Sequence, residues 1–316
     1  MIHLATIGTG AITRTFAAEV AQVDGIAIQI VHSRNAERGR ALAAELGAPE
    51  SASDLVGMLA RDDLDAVYIA SPNSLHGEHA RAAIEAGLHV LVEKPAVPTA
   101  TEWAGLVRQA RSAEVVLLEA MRTAYDPGMT AVREWLPEVG RVRRVSFRYD
   151  QRSSRYDQVL AGRHVNIFDP AMAGGALNDL GVYCVHPLVS LFGKPSRVVA
   201  DSVRVASGVD GAGVILAGYP DFVADLSYSK ITSSDLPSEI QGEDATLTID
   251  HIASPRMLRL SRRDGTHETR TIDAPQHGLR DEVVRFVELV TSGAVPERDQ
   301  ELTLTTLSVL DAVRAL

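Results

Sequence analysis

The chain has 316 residues, 46% hydrophobic and 23% charged, which supplies enough apolar material for two globular domains and argues against overall disorder. Lys and Arg total 31 against 41 Asp and Glu, and the basic residues are scattered, so the concentrated positive field that nucleic acid or an anionic membrane requires is missing. A single cysteine, Cys184, excludes an intramolecular disulfide and a thiolate metal cage. The amino terminus enters a strand pattern at once, and no apolar run approaches the roughly 20 residues that span a bilayer; the expectation is a cytoplasmic protein that binds neither nucleic acid nor membrane.

Residues 2–7 form a short apolar run, followed by Gly8-Thr9-Gly10 and by residues 11–20, where Ile12, Phe16 and Val20 recur at helical spacing. A second apolar run at 26–31 ends at His32-Ser33-Arg34, and the Ala- and Leu-rich residues 36–46 read as helix. Helices follow at 53–59, at 76–86 and from a Thr99 cap to 111, with strands at 66–70, 89–92 and 115–118. This alternation predicts an α/β Rossmann-type domain over residues 1–120, a doubly wound parallel sheet with helices on both faces. Ligands of such sheets bind at the carboxyl ends of the strands, where Gly8, Ser33, Ser71 and Lys94 fall.

Beyond residue 120 the pattern changes. A helix at 129–135 precedes a strand at 142–149, a loop through Arg163 and a helix at 176–192. Strands follow at 197–205, 213–216, 223–228, 238–241, 246–249 and 257–261, and helical periodicity returns at 279–291 and 303–316. Strands joined by short turns predict an α+β domain with a large, mostly antiparallel sheet, running from 121 to 316.

Gly8-Thr9-Gly10-Ala11-Ile12-Thr13 carries two glycines of a dinucleotide-binding turn. The first allows the tight turn, and the second lets the backbone approach a pyrophosphate at the helix start, where Ala11 and Ile12 stand. Thr13 replaces the usual third glycine or alanine. The position after the first strand favours a cofactor over a merely structural glycine turn. An NAD site wants a carboxylate about 20 residues further on; here the segment reads His32-Ser33-Arg34-Asn35, with Arg38 one turn on and no carboxylate before Glu37. A small hydroxyl beside arginines suits a 2'-phosphate, so NADP is expected in preference to NAD.

Residues 66–95, AVYIASPNSLHGEHARAAIEAGLHVLVEKP, place Ser71-Pro72-Asn73, a histidine at the next helix start and Glu93-Lys94-Pro95 in order. They resemble the signature of the glucose-fructose oxidoreductase and myo-inositol dehydrogenase (Gfo/Idh/MocA) family, and with the glycine turn and two-part architecture the resemblance covers essentially the whole chain. It implies that Pro72, Asn73 and His76 line the cofactor, that Glu93 helps place its nicotinamide end, and that Lys94, held by a cis bond to Pro95, reaches the substrate. Residues 174–193, GGALNDLGVYCVHPLVSLFG, resemble the family's Asp-x-Gly-x-His-x-x-Asp segment, with Tyr183 for the usual histidine and His186 where the later Asp often stands. Tyrosine here resembles the branch containing glucose-fructose oxidoreductase and dimeric dihydrodiol dehydrogenase, typically NADP-dependent. Glu119-Ala120-Met121 and Pro127 resemble the segment joining the two domains. That branch often has Trp-Arg ahead of the double glycine, where this chain has Asn166 and Ile167, so the sugar specificity of its known members is not implied.

Hydride transfer at an alcohol carbon needs a group that takes or supplies the hydroxyl proton. Free tyrosine titrates near about 10, and a neighbouring ammonium favours its phenolate. The expected roles are therefore Tyr183 as acid/base, Lys94 as electrostatic and hydrogen-bonding catalyst, and Asp179, one turn before Tyr183, as the group that holds Lys94. His186 on the same helix, and Arg163, His164 and Asn166 in the loop before the double glycine, are candidates for the substrate pocket. His76 and His79 are spaced i, i+3 without the companions of a metal motif, so no metal is expected. The chain reads as an NADP-dependent oxidoreductase for a sugar, polyol or dihydrodiol-like substrate, or alternatively as a catalytically silent nucleotide-sensing regulator of the same fold. Relatives pair the large sheet with another subunit, which implies a homodimer or homotetramer.

Overall fold

The structure is a computed structural model that describes residues 1–276 and 278–316. Among these residues the α-helices are α1 (Ala11–Val20), α2 (Ala36–Leu46), α3 (Leu55–Leu59), α4 (His76–Glu85), α5 (Ala100–Ser112), α6 (Arg122–Tyr125), α7 (Pro127–Trp135), α8 (Tyr156–Leu160), α9 (Val182–Phe192), α10 (Arg280–Ser292) and α11 (Glu297–Arg314). The chain divides into two units, Met1–Met121 with Leu279–Leu304 and Arg122–Gly278 with Thr305–Leu316.

In the first unit, β1 (Ile2–Ile7), β2 (Ile26–His32), β3 (Glu50–Ala52), β4 (Ala66–Ile69), β5 (His89–Glu93) and β6 (Leu117–Ala120) form a parallel sheet in the order β3-β2-β1-β4-β5-β6. The order reverses beside β1, which opens a crevice at the carboxyl ends of β1 and β4. Local sequence sets the helix starts: the Asn35 side chain accepts from the Arg38 amide at 2.9 Å and Thr99 from the Glu102 amide at 3.2 Å. On the face of the central strand β4, the Phe16 and Tyr68 rings stack with centroids 3.6 Å apart. Leu279, Val283, Phe286 and Leu289 pack into the same cluster as Leu4, Phe16 and Tyr68. This corrects the assignment of residues 121–316 to one domain. The apolar stripe of α10 was visible as periodicity, but periodicity does not say which core receives it.

The second unit is built on β7 (Val142–Asp150), β8 (Arg197–Arg204), β9 (Asp210–Gly218), β10 (Val223–Ser229), β11 (Ser238–Gly242), β12 (Ala245–Ile249), β13 (Met257–Arg262) and β14 (His267–Thr271). Their order is β14-β13-β12-β11-β7-β10-β9-β8, antiparallel except for the parallel pair β7 and β10. Val145, Phe147, Ile215, Leu226, Ile240 and Leu247 line its buried face. Neither β14 nor β3 was anticipated, because neither buries a residue and so neither shows alternation. Helix α8 lies inside the stretch read as loop.

Candidate active site

The glycine turn closes β1 onto β4. Gly8 has φ 125°, and a Cβ there would lie 2.3 Å from the Ala70 carbonyl oxygen, so a side chain is excluded on both counts. Gly10 precedes α1, and a Cβ added to it meets nothing within 4 Å. Thr13 is fully buried and its hydroxyl donates to the Gly8 carbonyl at 3.2 Å, so the residue standing for the third glycine braces the turn from within. Ala11 and Ile12 begin the helix, with Ile12 37% exposed. An open space before the first amides of a helix fits a pyrophosphate, and this is where the residues present accommodate a dinucleotide. At the end of β2, the buried Ser33 hydroxyl accepts from the Asn35 amide at 3.2 Å, while Arg34 and Arg38 are exposed. Burial, aided by the charge of Arg34, holds His32 and His79 below the usual histidine value.

At the end of β5 the Lys94–Pro95 peptide bond is cis, as the resemblance implied. The backbone around it is bonded to buried side chains. The Lys94 amide donates to Glu93 Oε2 at 3.2 Å, the Pro95 carbonyl lies 3.0 Å from His76 Nδ1, and the Ala96 amide donates to Glu119 Oε1 at 2.9 Å. Tyr68 donates its hydroxyl to Glu93 Oε1 at 2.6 Å, and Thr303 donates to Glu119 Oε2 at 2.8 Å. His76 Nε2 lies 2.8 Å from the Ser71 carbonyl, so a neutral ring donates to one of its two carbonyls. Burial pushes the His76 pKa down to about 4. His76, 1% exposed, ties the Ser71 loop to Pro95, and Glu93, 8% exposed, is bonded to Tyr68 and to the Lys94 amide. Ser71, Pro72 and Asn73 are half-buried on the loop that enters α4, and His79 Nδ1 lies 3.0 Å from Ser71 Oγ.

In the second unit a π-helical turn, Leu177–Gly181, leads into α9. Asp210 anchors its start, accepting from the Leu177 amide at 2.6 Å, and Arg314 donates to Asn178 Oδ1 at 2.8 Å. Asp179 pairs with Lys230, a buried cation that sequence reading did not single out and that follows β10 where this strand packs on the π turn. Within its own unit Asp179 is thus held by Lys230. Tyr183 is 6% exposed, and its hydroxyl accepts from Arg122 Nε at 3.3 Å with the guanidinium carbon 4.9 Å from the ring centre. Tyr149 packs at 5.6 Å on the other ring contact. His186 is 2% exposed, its Nδ1 has no hydrogen-bond partner among the described residues, and burial pushes its pKa down to about 3. It is buried within α9 along with its neighbours Val185 and Leu188. His164 and Asn166 are exposed on the loop before the double glycine, with His164 Nε2 2.5 Å from Asp169. Cys184 is fully buried, and burial raises its thiol.

Glu119, Lys230 and Arg122 were missed. The signal for Glu119 was present in Val115-Val116-Leu117-Leu118-Glu119-Ala120, a carboxylate inside an apolar strand run, which is costly unless it is bonded.

Two buried histidines set an acid limit. Because their folded pKa values lie below 6.5, the unfolded chain binds protons more readily as pH falls. The stability they permit is full above about pH 6.5 and is lost progressively toward pH 4, up to roughly 3 kcal/mol for each ring. Thermal melts from pH 7 to pH 4 are expected to steepen below pH 6.5, and His186→Leu should flatten that limb by about half. An unchanged slope in the variant contradicts the placement of His186.

Comparison with known proteins identifies the family. A family model described as the oxidoreductase family, NAD-binding Rossmann fold, matches residues 2–121, and one described as the GFO/IDH/MocA C-terminal domain matches residues 130–248. The chain is 40% identical over 316 residues to scyllo-inositol 2-dehydrogenase (NADP(+)) IolU of Bacillus subtilis (strain 168), covering 99% of this chain and 96% of that protein. It is 31% identical over 322 residues to D-xylose 1-dehydrogenase (NADP(+)) 2 of Haloferax volcanii, covering 98% and 94%. KijD10, a 3-ketoreductase from Actinomadura kijaniata solved with NADP and TDP-benzene, has the same fold, with a TM-score of 0.87 at 24% identity over 99% of this chain and 97% of that one. The chain belongs to the Gfo/Idh/MocA family of oxidoreductases.

Proposed function

We propose that the protein is an NADP-dependent dehydrogenase or reductase acting on a hydroxyl or carbonyl carbon of a sugar, polyol or dihydrodiol-like compound. The observation that carries this reading is the Lys94 loop: a cation presented at a strand end, on backbone bonded to buried side chains, on the same sheet edge as the open glycine cradle. Rigid presentation of a charge is what electrostatic catalysis needs and what a strand end turning into solvent does not. The NADP-dependent inositol and xylose dehydrogenases among the relatives support the cofactor and the polyol class.

In this reading Gly8, Gly10, Ala11 and Ile12 hold the pyrophosphate, Ser33, Arg34 and Arg38 the 2'-phosphate, and Ser71, Pro72 and Asn73 the nicotinamide side. Bound NADP supplies the carbon that takes or gives the hydride. Lys94 donates a hydrogen bond to the substrate oxygen as negative charge builds there. Tyr183 moves the hydroxyl proton, with Arg122 already donating to its oxygen. Asp179, anchored by Lys230, orients the reacting groups, and His164 and Asn166 border the substrate.

One face of the second sheet also needs a partner. Val199, Val203, Val214, Leu216 and Val223 are 47–60% exposed on adjoining positions of β8, β9 and β10, a patch that a second copy of the chain would cover. Light scattering is expected to return at least twice the 33.9 kDa chain mass; a monomer at micromolar concentration rules the pairing out.

The functional reading is tested with sugars, inositols and dihydrodiols, each with NADP and NAD, followed at the nicotinamide absorbance. Turnover is expected with NADP, and Arg34→Ala should weaken NADPH binding about tenfold or more while leaving NADH binding unchanged. Tight NADPH binding without turnover across the panel would favour the nucleotide-sensing role.

A further inference from the structure

We propose that Glu119 is the positioning residue for Lys94, with Thr303 of the returning carboxyl-terminal segment holding Glu119 in place. The inference rests on the reading that Lys94 takes part in the reaction.

Glu119 is 3% exposed in the otherwise apolar β6, where burial and the nearby Glu93 charge raise its pKa. For stability alone a leucine would fill this position at lower desolvation cost. What the carboxyl provides is an acceptor for the Ala96 amide at 2.9 Å. That amide is the first one after Pro95, which has none of its own, and Ala96 is fully buried. Glu119 therefore supplies the downstream anchor of the residue pair that carries Lys94, while Glu93 and His76 fasten the Lys94 amide and the Pro95 carbonyl. Loss of the acceptor leaves a buried donor unsatisfied, which the loop relieves by moving.

Thr303 fixes the carboxyl from its other side through a 2.8 Å bond to Oε2. The helix turn that carries Thr303 is itself clamped: Gln300 donates from its side chain to the Leu117 carbonyl at 3.2 Å and accepts at its backbone from Trp103 Nε1 at 3.0 Å. A continuous bonded path thus runs from α11 through Thr303 and Glu119 to Ala96, next but one to Lys94. It gives the return of the carboxyl-terminal segment to the first unit a consequence for the site as well as for the core.

The sequence contains only three lysines, Lys94, Lys194 and Lys230, so Cε-labelled lysine gives a three-signal NMR spectrum of the full-length, NADPH-saturated protein. Thr303→Val and Glu119→Leu are expected to shift or broaden the Lys94 signal and leave that of Lys194 in place. Thr303→Ser and Glu119→Gln should restore it, since each keeps an acceptor or donor at the required atom. With scyllo-inositol and NADP as the activity probe, kcat is expected to fall about tenfold or more in Thr303→Val with NADPH affinity within twofold, and Thr303→Val should add nothing further in a Lys94→Met background. A Lys94 signal unchanged in folded Thr303→Val overturns the inference, and that near-isosteric variant decides the matter if Glu119→Leu does not fold. Full turnover by Lys94→Met instead sinks the catalytic reading of Lys94, while the NMR arm still judges the positioning.

Discussion

A proline at the end of a buried strand removes one backbone donor and interrupts the ladder, so the polar groups beside it must find partners elsewhere. Here the three groups around Pro95 are taken by Glu93, His76 and Glu119, all nearly inaccessible to solvent. Each of those side chains is in turn bonded: Glu93 to Tyr68, His76 to the Ser71 loop and Glu119 to Thr303. The loop that presents Lys94 is thereby connected to β4, α4, β6 and α11 at once. The same satisfied network that stabilises the fold is what would hold a catalytic cation steady.

The second unit follows a related rule with opposite charges. Asp179 and Tyr183 are carried on consecutive turns of a π-then-α helix, and each has a cation from another element of the same unit, Lys230 after β10 and Arg122 at the start of α6. Asp210 and Arg314 fix the π turn from outside. A π turn breaks regular helical register, and such turns recur where a side chain must be aimed. Neutral histidines complete the pattern: His76 and His186 are kept unprotonated by burial, which makes the interior sensitive to acid and keeps stray charge away from the groups assigned to chemistry.

Much of this was legible in the sequence, and the failures have physical causes. Strand and helix alternation, the glycine turn and the Glu-Lys-Pro stop all rest on local chemistry, and the Rossmann sheet and the large, mostly antiparallel sheet lie where those signals put them. The return of residues 279–304 to the first unit was hidden because an apolar stripe does not name its core. Strand β14 was hidden because an exposed edge strand has no buried face to alternate with. Residue type and helical spacing did not show that His76 and His186 are almost fully buried, because which side of a helix packs inward is set by the tertiary fold. Glu119 was quoted only as part of a joining segment; a carboxylate within an apolar strand was the clue to a bonded, buried group.

The proposed chemistry requires that the Lys94 loop be held as its bonds imply. Site-resolved amide hydrogen exchange on the ligand-free protein measures this at the Lys94 and Ala96 amides, whose acceptors are Glu93 and Glu119. Exchange as slow as that of the β4 and β5 amides is the predicted result. Exchange at the rate of an exposed loop, with β4 and β5 still protected, would contradict it.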